Sequence, residues 1–179
     1  TPKTLPCCTS CPLKISRQPV GGEIYTGSAF TFHIEVTNFE GVVHYAWSHD
    51  GEAVGTDAQD LALPAAATAD AGQYWCVVTD ASETKTSYHV QLTVADLPGI
   101  ATQPMGDVRL EGSNINIFVE TSGGIQPLHF AWFFGQDPVG TDDPTLALTG
   151  LDVAQSGDYY CVVTDKLGTA VTSDPATLV

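Results

Sequence analysis

Gly72-Gln73-Tyr74-Trp75-Cys76-Val77-Val78-Thr79-Asp80 returns 85 residues later as Gly157-Asp158-Tyr159-Tyr160-Cys161-Val162-Val163-Thr164-Asp165. The flanking chain repeats at the same offset. Trp47 maps onto Trp132, Gln18-Pro19 onto Gln103-Pro104, and Gly27-Ser28 onto Gly112-Ser113. Val54-Gly55-Thr56-Asp57 maps onto Val139-Gly140-Thr141-Asp142. From Gln18 to Val94 the two copies align without a gap, and about a third of the positions are identical. Solenoid units recur every 20 to 50 residues or so, so a period this long marks a duplicated domain.

The strands read from period-two alternation. Phe30, Phe32, Ile34 and Val36 alternate with Thr31, His33 and Glu35. Val43, Tyr45 and Trp47 face inward with His44 and Ala46 outward, and His49-Asp50-Gly51-Glu52 is a turn. Leu61 and Leu63 form another strand. Tyr74, Cys76 and Val78 are the inward side of the quoted stretch, and Val90, Leu92 and Val94 close the first copy. The second copy repeats the plan with Ile115, Ile117 and Val119, then Leu128, Phe130 and Trp132, then Leu146 and Leu148, then Tyr159, Cys161 and Val163. Helical periodicity is absent, so the class is all-β.

These residues resemble the immunoglobulin family. Asp70-x-Gly72-x-Tyr74-x-Cys76 is similar to the family's F strand with its tyrosine corner, and Trp47 to the tryptophan of strand C. Gly157-x-Tyr159-x-Cys161 and Trp132 match in the second copy, where Gln155 replaces the aspartate. The resemblance implies two tandem Ig-like β-sandwiches over residues 16–95 and 96–179, preceded by an extended arm, residues 1–15. The linker Ala95-Asp96-Leu97-Pro98-Gly99 is short and contains proline, which implies end-to-end sandwiches with limited bending. The family's first cysteine would fall at Ile34 and Val119, and neither is Cys. The resemblance therefore implies sandwiches without an inter-sheet disulfide, in which Cys76 and Cys161 are buried free thiols acting as small hydrophobes. It points to Ig-like domains of the bacterial and phage type.

Net charge is −15. That disfavours nucleic acid, whose phosphates are bound by Lys and Arg, and anionic lipid alike. No run of about 18 apolar residues offers a membrane-spanning helix, and no apolar leader core opens the chain. A start at Thr1 fits removal of an initiator Met or of a leader. An end at Val179, matched to Val94, implies a fold that closes without an anchor or sorting tail.

The arm departs from the acidic body. Lys3, Lys14 and Arg17 are half of the chain's six basic residues, and residues 1–22 hold no acid. Pro2, Pro6 and Pro12 exclude a helix. Cys7, Cys8 and Cys11 offer three thiols where zinc needs four ligands. Structural or inter-chain disulfides, unpaired thiols and metal all stay open. The Cys8–Cys11 spacing also fits a redox pair, but without the strand–helix setting of such motifs. Five cysteines is an odd number, so at least one is free or pairs between chains.

The outward face of the sheet holding strands C and F is rich in apolar residues. It carries His44, Ala46, Trp75 and Val77 in the first copy, and His129, Ala131, Phe133, Tyr160 and Val162 in the second. Outward aromatics mark contact surfaces, and cross-strand pairing that stabilises the sheet is the alternative. A metal at His44 or His129 would need neighbouring carboxylates, which the sequence does not place. Asp57, Asp60, Asp137, Asp142, Asp143, Asp80, Asp96 and Asp165 cluster in loops. Calcium would use such oxygens, but no loop has a calcium-motif spacing, and the acidic loops read as solubilising.

No nucleophile turn, phosphate loop or His-x-x-x-His pair occurs. The reading is a non-enzymatic structural or binding protein with no catalytic residues, no metal and no cofactor. Its place is an extracellular or virion surface, as a decoration or fibre subunit attached through Lys3, Cys7, Cys8, Cys11, Lys14 and Arg17. Its partners are other copies of itself or a capsid or filament scaffold, with a host-surface protein or glycan as a further partner. The alternatives are an exported bacterial surface filament subunit or adhesin, and a carbohydrate- or protein-binding module of a larger secreted protein.

Overall fold

A computed structural model describes residues 12–179. Lys3, Cys7, Cys8 and Cys11 lie outside the described residues. The chain divides into two compact units, one ending at Val94 and one running from Ala95 to Val179. Both are all-β, with the strand arrangement of immunoglobulin-like sandwiches.

The first unit contains β1 (Lys14–Arg17), β2 (Gly22–Tyr25), β3 (Phe30–His33), β4 (Glu35–Thr37), β5 (His44–His49), β6 (Glu52–Val54), β7 (Asp60–Leu63), β8 (Gly72–Thr79), β9 (Thr84–Thr86) and β10 (Val90–Ala95). One layer pairs β1 with β4 and β3 with β7, and the other runs β2-β10-β8-β5-β6 with β9 also on β8. The second unit contains β11 (Gly99–Thr102), β12 (Ile115–Phe118), β13 (Glu120–Ser122), β14 (His129–Phe134), β15 (Asp137–Val139), β16 (Thr145–Leu148), β17 (Gly157–Thr164), β18 (Ala170–Thr172) and β19 (Ala176–Leu178). There β11 pairs β13, β12 pairs β16, and the larger sheet runs β15-β14-β17-β18 with β19 also on β17.

Strand β1 begins at Lys14, and Leu13 is buried in the first core. Residues 13–15, read from sequence as the end of an arm, are therefore part of the sandwich. The apolar Leu13-x-Ile15 pair packs in this core.

The cores form where the alternation is apolar. Phe32, Ile34, Trp47, Leu61, Tyr74, Cys76, Val78 and Leu92 pack together in the first unit. Ile117, Val119, Trp132, Leu146, Tyr159, Cys161, Val163 and Leu178 do so in the second. Ile34 and Val119 are buried at the places of the missing cysteines, so apolar side chains fill that volume. Cys76 and Cys161 are free. Burial pushes their thiols up to about 12 and about 11, which keeps them protonated and unreactive at neutral pH.

The tyrosine corner is the same in both units. Tyr74 Oη donates to the Asp70 carbonyl at 2.8 Å, and Tyr159 Oη to the Gln155 carbonyl at 2.9 Å. The acceptor is backbone, so the Asp-to-Gln exchange leaves it intact. Both side chains serve the turn as well: Asp70 accepts the Ala67 N–H, and Gln155 accepts the Asp152 N–H. Gly72 and Gly157 open strand F at positive φ. A Cβ at Gly72 would enter the ring of His49, and one at Gly157 would enter Phe134. Those two rings stack on Tyr74 and Tyr159 at centroid distances of 4.4 and 4.7 Å. The glycine therefore makes room for the aromatic lid on each corner.

The repeat is not gapless. Val77 pairs Thr86 and Leu92 pairs Gly72, whereas Val162 pairs Thr172 and Leu178 pairs Gly157. From strand β9 onward the offset is one residue longer, so Val94 has no counterpart at Val179. The extra residue sits in the turn after strand F. The Asp80 N–H reaches the Glu83 carbonyl, while the Asp165 N–H reaches that of Thr169. Positive φ at Gly168 accommodates the longer turn.

Candidate contact face

Strand pairing sets the outward face row by row. In the first unit His44 stands opposite Thr79, Ala46 opposite Val77, and Ser48 opposite Trp75. In the second His129 stands opposite Thr164, Ala131 opposite Val162, and Phe133 opposite Tyr160. The inward neighbours Trp47, Cys76, Trp132 and Cys161 are all in the cores, so the intervening residues must face out. His44, Ala46, His129 and Ala131 are exposed, and Trp75, Val77, Phe133, Tyr160 and Val162 are half-buried.

The aromatics on this face pair with one another, differently in each unit. Trp75 stacks on His89 with centroids 4.2 Å apart and planes within 3°. Tyr160 stacks instead on Phe133 at 5.2 Å. A depression beside Tyr160 is lined by Gly135, Asp158, Thr172, Ser173 and Pro175.

The structure supplies the carboxylates that the sequence could not place beside the histidines. Asp57 Oδ2 lies 2.5 Å from His44 Nδ1 while its Oδ1 accepts the Tyr45 N–H. Asp142 repeats this with His129 Nδ1 at 2.6 Å and the Phe130 N–H. These are the aspartates of the repeated Val-Gly-Thr-Asp. The same loops accept the indole N–H of Trp47, at the Ala58 carbonyl, and of Trp132, at the Asp143 carbonyl. The hydrogen bonds from His44 and His129 hold the Asp57 and Asp142 carboxyls below the usual range. A fixed two-member pair that anchors a loop explains these residues. Among the described residues no group of three or more His, Cys, Asp or Glu could hold a metal ion.

Two other aspartates of the acidic loops bind backbone rather than solubilise the surface. Asp80 is buried and accepts N–H groups from Glu40, Ser82 and Glu83. Those bonds, from Glu40 foremost, hold its carboxyl far below the ordinary range. Asp165, also buried, accepts from Ile125, Leu167 and Thr169. Each ties the turn after strand F to the loop before strand C, so it fixes one end of its own unit's contact face. Sequence spacing gave no sign of bonds spanning 40 residues. The one available signal was that both copies of the quoted stretch end on Asp.

The opposite layer of the first unit carries a charged cluster instead. His33 Nδ1 lies 2.5 Å from Asp60 Oδ1 and its Nε2 3.2 Å from Glu35 Oε1. Arg17 lies 3.6 Å from the same Glu35 oxygen, so Arg17 and Lys14 belong to strand β1 of this layer. The hydrogen bonds to Asp60 and then Glu35 raise the His33 pKa above its ordinary value. A raised pKa stabilises the fold fully below about pH 6.5, the unfolded value, and this is lost as pH rises through the folded one. An NMR titration of the His33 ring is expected to give a midpoint above about 6.5. The His33→Phe variant is expected to lose less stability than the native chain between mildly acidic and mildly basic pH. A midpoint at or below the ordinary value contradicts this.

No family model matches the chain. It is 29% identical over 188 residues to the tyrosine-protein kinase receptor TYRO3 of Mus musculus, covering 96% of this chain and 21% of that protein. It is 27% identical over 128 residues to the tyrosine-protein kinase-like otk of Drosophila mojavensis, covering 67% of this chain and 12% of that one. The chain thus spans about a fifth or less of the length of these relatives. Among solved structures, titin domains I67-I69 (an E-to-A mutated variant) superpose with a TM-score of 0.73 at 18% identity, covering 93% of this chain and 65% of that one. Dpr11 IG1 bound to DIP-gamma IG+IG2 gives 0.72 at 16% identity, covering 94% and 98%.

The fold is therefore immunoglobulin-like. The bacterial or phage type expected from the missing disulfide is not supported, because the relatives are animal proteins, and a virion subunit falls with it. The physical reason lies at Ile34 and Val119. Replacing a buried half-cystine by an apolar side chain is a local repacking of the core and carries no record of lineage.

Proposed function

We propose that this chain is an extracellular, non-enzymatic binding module that meets another protein through the outward faces of its two larger sheets. The observation that carries this is the pairing of partly exposed aromatics, Trp75 with His89 and Phe133 with Tyr160, beside the small apolar residues Ala46, Val77, Ala131 and Val162. Large amphipathic rings held rigid by neighbours make contact area at low entropic cost. The similarity to a receptor kinase and to a solved complex between Ig domains supports a surface protein as partner. Kinase activity is not carried over, since the chain matches a fifth of that receptor.

The test is a binding screen of the multimerised chain against displayed ectodomains that contain Ig-like domains. Trp75→Ala and Tyr160→Ala are run beside the native chain. The expected result is a hit weakened about tenfold or more by one of them, with melting temperature little changed. Hits that neither variant weakens would sink the assignment of the face.

A further inference from the structure

One row of the second sandwich differs in kind from its counterpart in the first. Phe133 stands opposite Pro138 on β15 and opposite Tyr160 on β17. Ala176 pairs Tyr159, which brings Pro175 into line with Tyr160. The row Pro138, Phe133, Tyr160, Pro175 thus crosses the sheet as a continuous apolar strip. The first unit has Ala53, Ser48, Trp75 and His89 in these places.

A carboxylate borders the strip. Asp158 lies two residues before Tyr160 on the same face of β17, and both line the depression together with Pro175. Thr177 Oγ1 donates to Asp158 Oδ1 at 2.6 Å, which fixes the carboxylate. Its other oxygen has no hydrogen-bond or ion-pair partner among the described residues. Asp174 is exposed beside Pro175. No Lys or Arg occurs in β14, β15, β17, β18 or β19, and Arg109 and Lys166 are the only basic residues from Ala95 onward. In the first unit Gln73 replaces Asp158, and His89 stacks over Trp75.

Resting on the binding face proposed above, we infer that the depression between Tyr160 and Asp158 receives a basic side chain, an arginine or lysine, of the protein partner. The chemistry is complementary at each point. The ring of Tyr160 attracts a cation through its quadrupole. Asp158 accepts charge-assisted hydrogen bonds from a guanidinium or ammonium. Pro175, which also lines the depression, gives it an apolar wall that limits water and so strengthens both contacts. The chain's net charge of −15 draws basic surfaces toward the site from a distance and makes the on-rate fall with salt.

The experiment is an NMR titration of the isotope-labelled full chain with N-acetyl-arginine amide. The citrulline analogue, which keeps the shape and lacks the charge, is titrated in parallel. The expected result is shifts centred on Asp158, Tyr160 and the segment from Thr172 to Thr177, absent with citrulline. Asp158→Asn is expected to weaken them about tenfold. Tyr160→Leu, which keeps an apolar side chain on the strand, should weaken them also. Equal shifts with citrulline, or shifts spread evenly over the acidic loops, overturn the inference. If these appear while Tyr160→Ala still abolishes capture in the ectodomain screen, the cation site fails and the contact face stands. If capture is also indifferent to Tyr160, both fail.

Discussion

Trp132→Ala is expected to lower the stability of the second sandwich by about 3–5 kcal/mol, the range for emptying a large buried aromatic site. Trp132 is almost wholly buried against Val119, Leu146, Tyr159 and Cys161. Its indole N–H also holds the Asp143 carbonyl of the loop that carries Asp142. A cavity and a freed loop therefore arise together. Domains of this size have about 5–15 kcal/mol in total, so the second unit becomes marginal. Native-state hydrogen exchange checks this strand by strand. Amides of Tyr159 to Val163 should lose most of their protection, while those of Tyr74 to Val78 keep theirs. Equal loss in both segments would mean that the units do not fold on their own cores.

Asp165→Ala is expected to cost about 2–4 kcal/mol, because it strips three backbone N–H groups of a common acceptor in a buried place. The bonds run to Ile125, Leu167 and Thr169, each at 3.0 Å. Chemical denaturation, with exchange at Ile125 and Thr169, reads the effect. A change near zero would show that water replaces the carboxylate readily. Asp80 offers the corresponding test by pH. Its depressed pKa means that its contribution is present above the ordinary carboxyl range and fades as pH falls through the folded value. Acid, and not base, should therefore loosen the Glu40 and Glu83 contacts.

Trp47, Tyr74, Cys76 and their second-copy equivalents were legible because burial on one face of a strand imposes period two. Large rings at fixed positions in that pattern have few other uses. The same logic placed His44, Ala46, Trp75 and Val77 on the outward face. What could not be read were contacts between loops distant in sequence. Asp57 reaching Tyr45 and Asp80 reaching Glu40 depend on where the fold brings two loops together, which no local spacing encodes. In the sequence pattern the shifted offset after Asp165 shows only in the last strand, where Ala176 and Leu178, and not Pro175 and Thr177, take the inward places of Val90 and Leu92. The lineage inferred from Ile34 and Val119 failed because packing, and not ancestry, decides what fills a core site.

The most direct measurement is hydrogen exchange on the chain saturated with an ectodomain recovered in the screen. The account predicts added protection in β5, β8, β14 or β17, with β3, β7, β12 and β16 of the opposite layers unchanged. Protection gained in those opposite layers, and none in the Trp75 and Tyr160 strands, would contradict it.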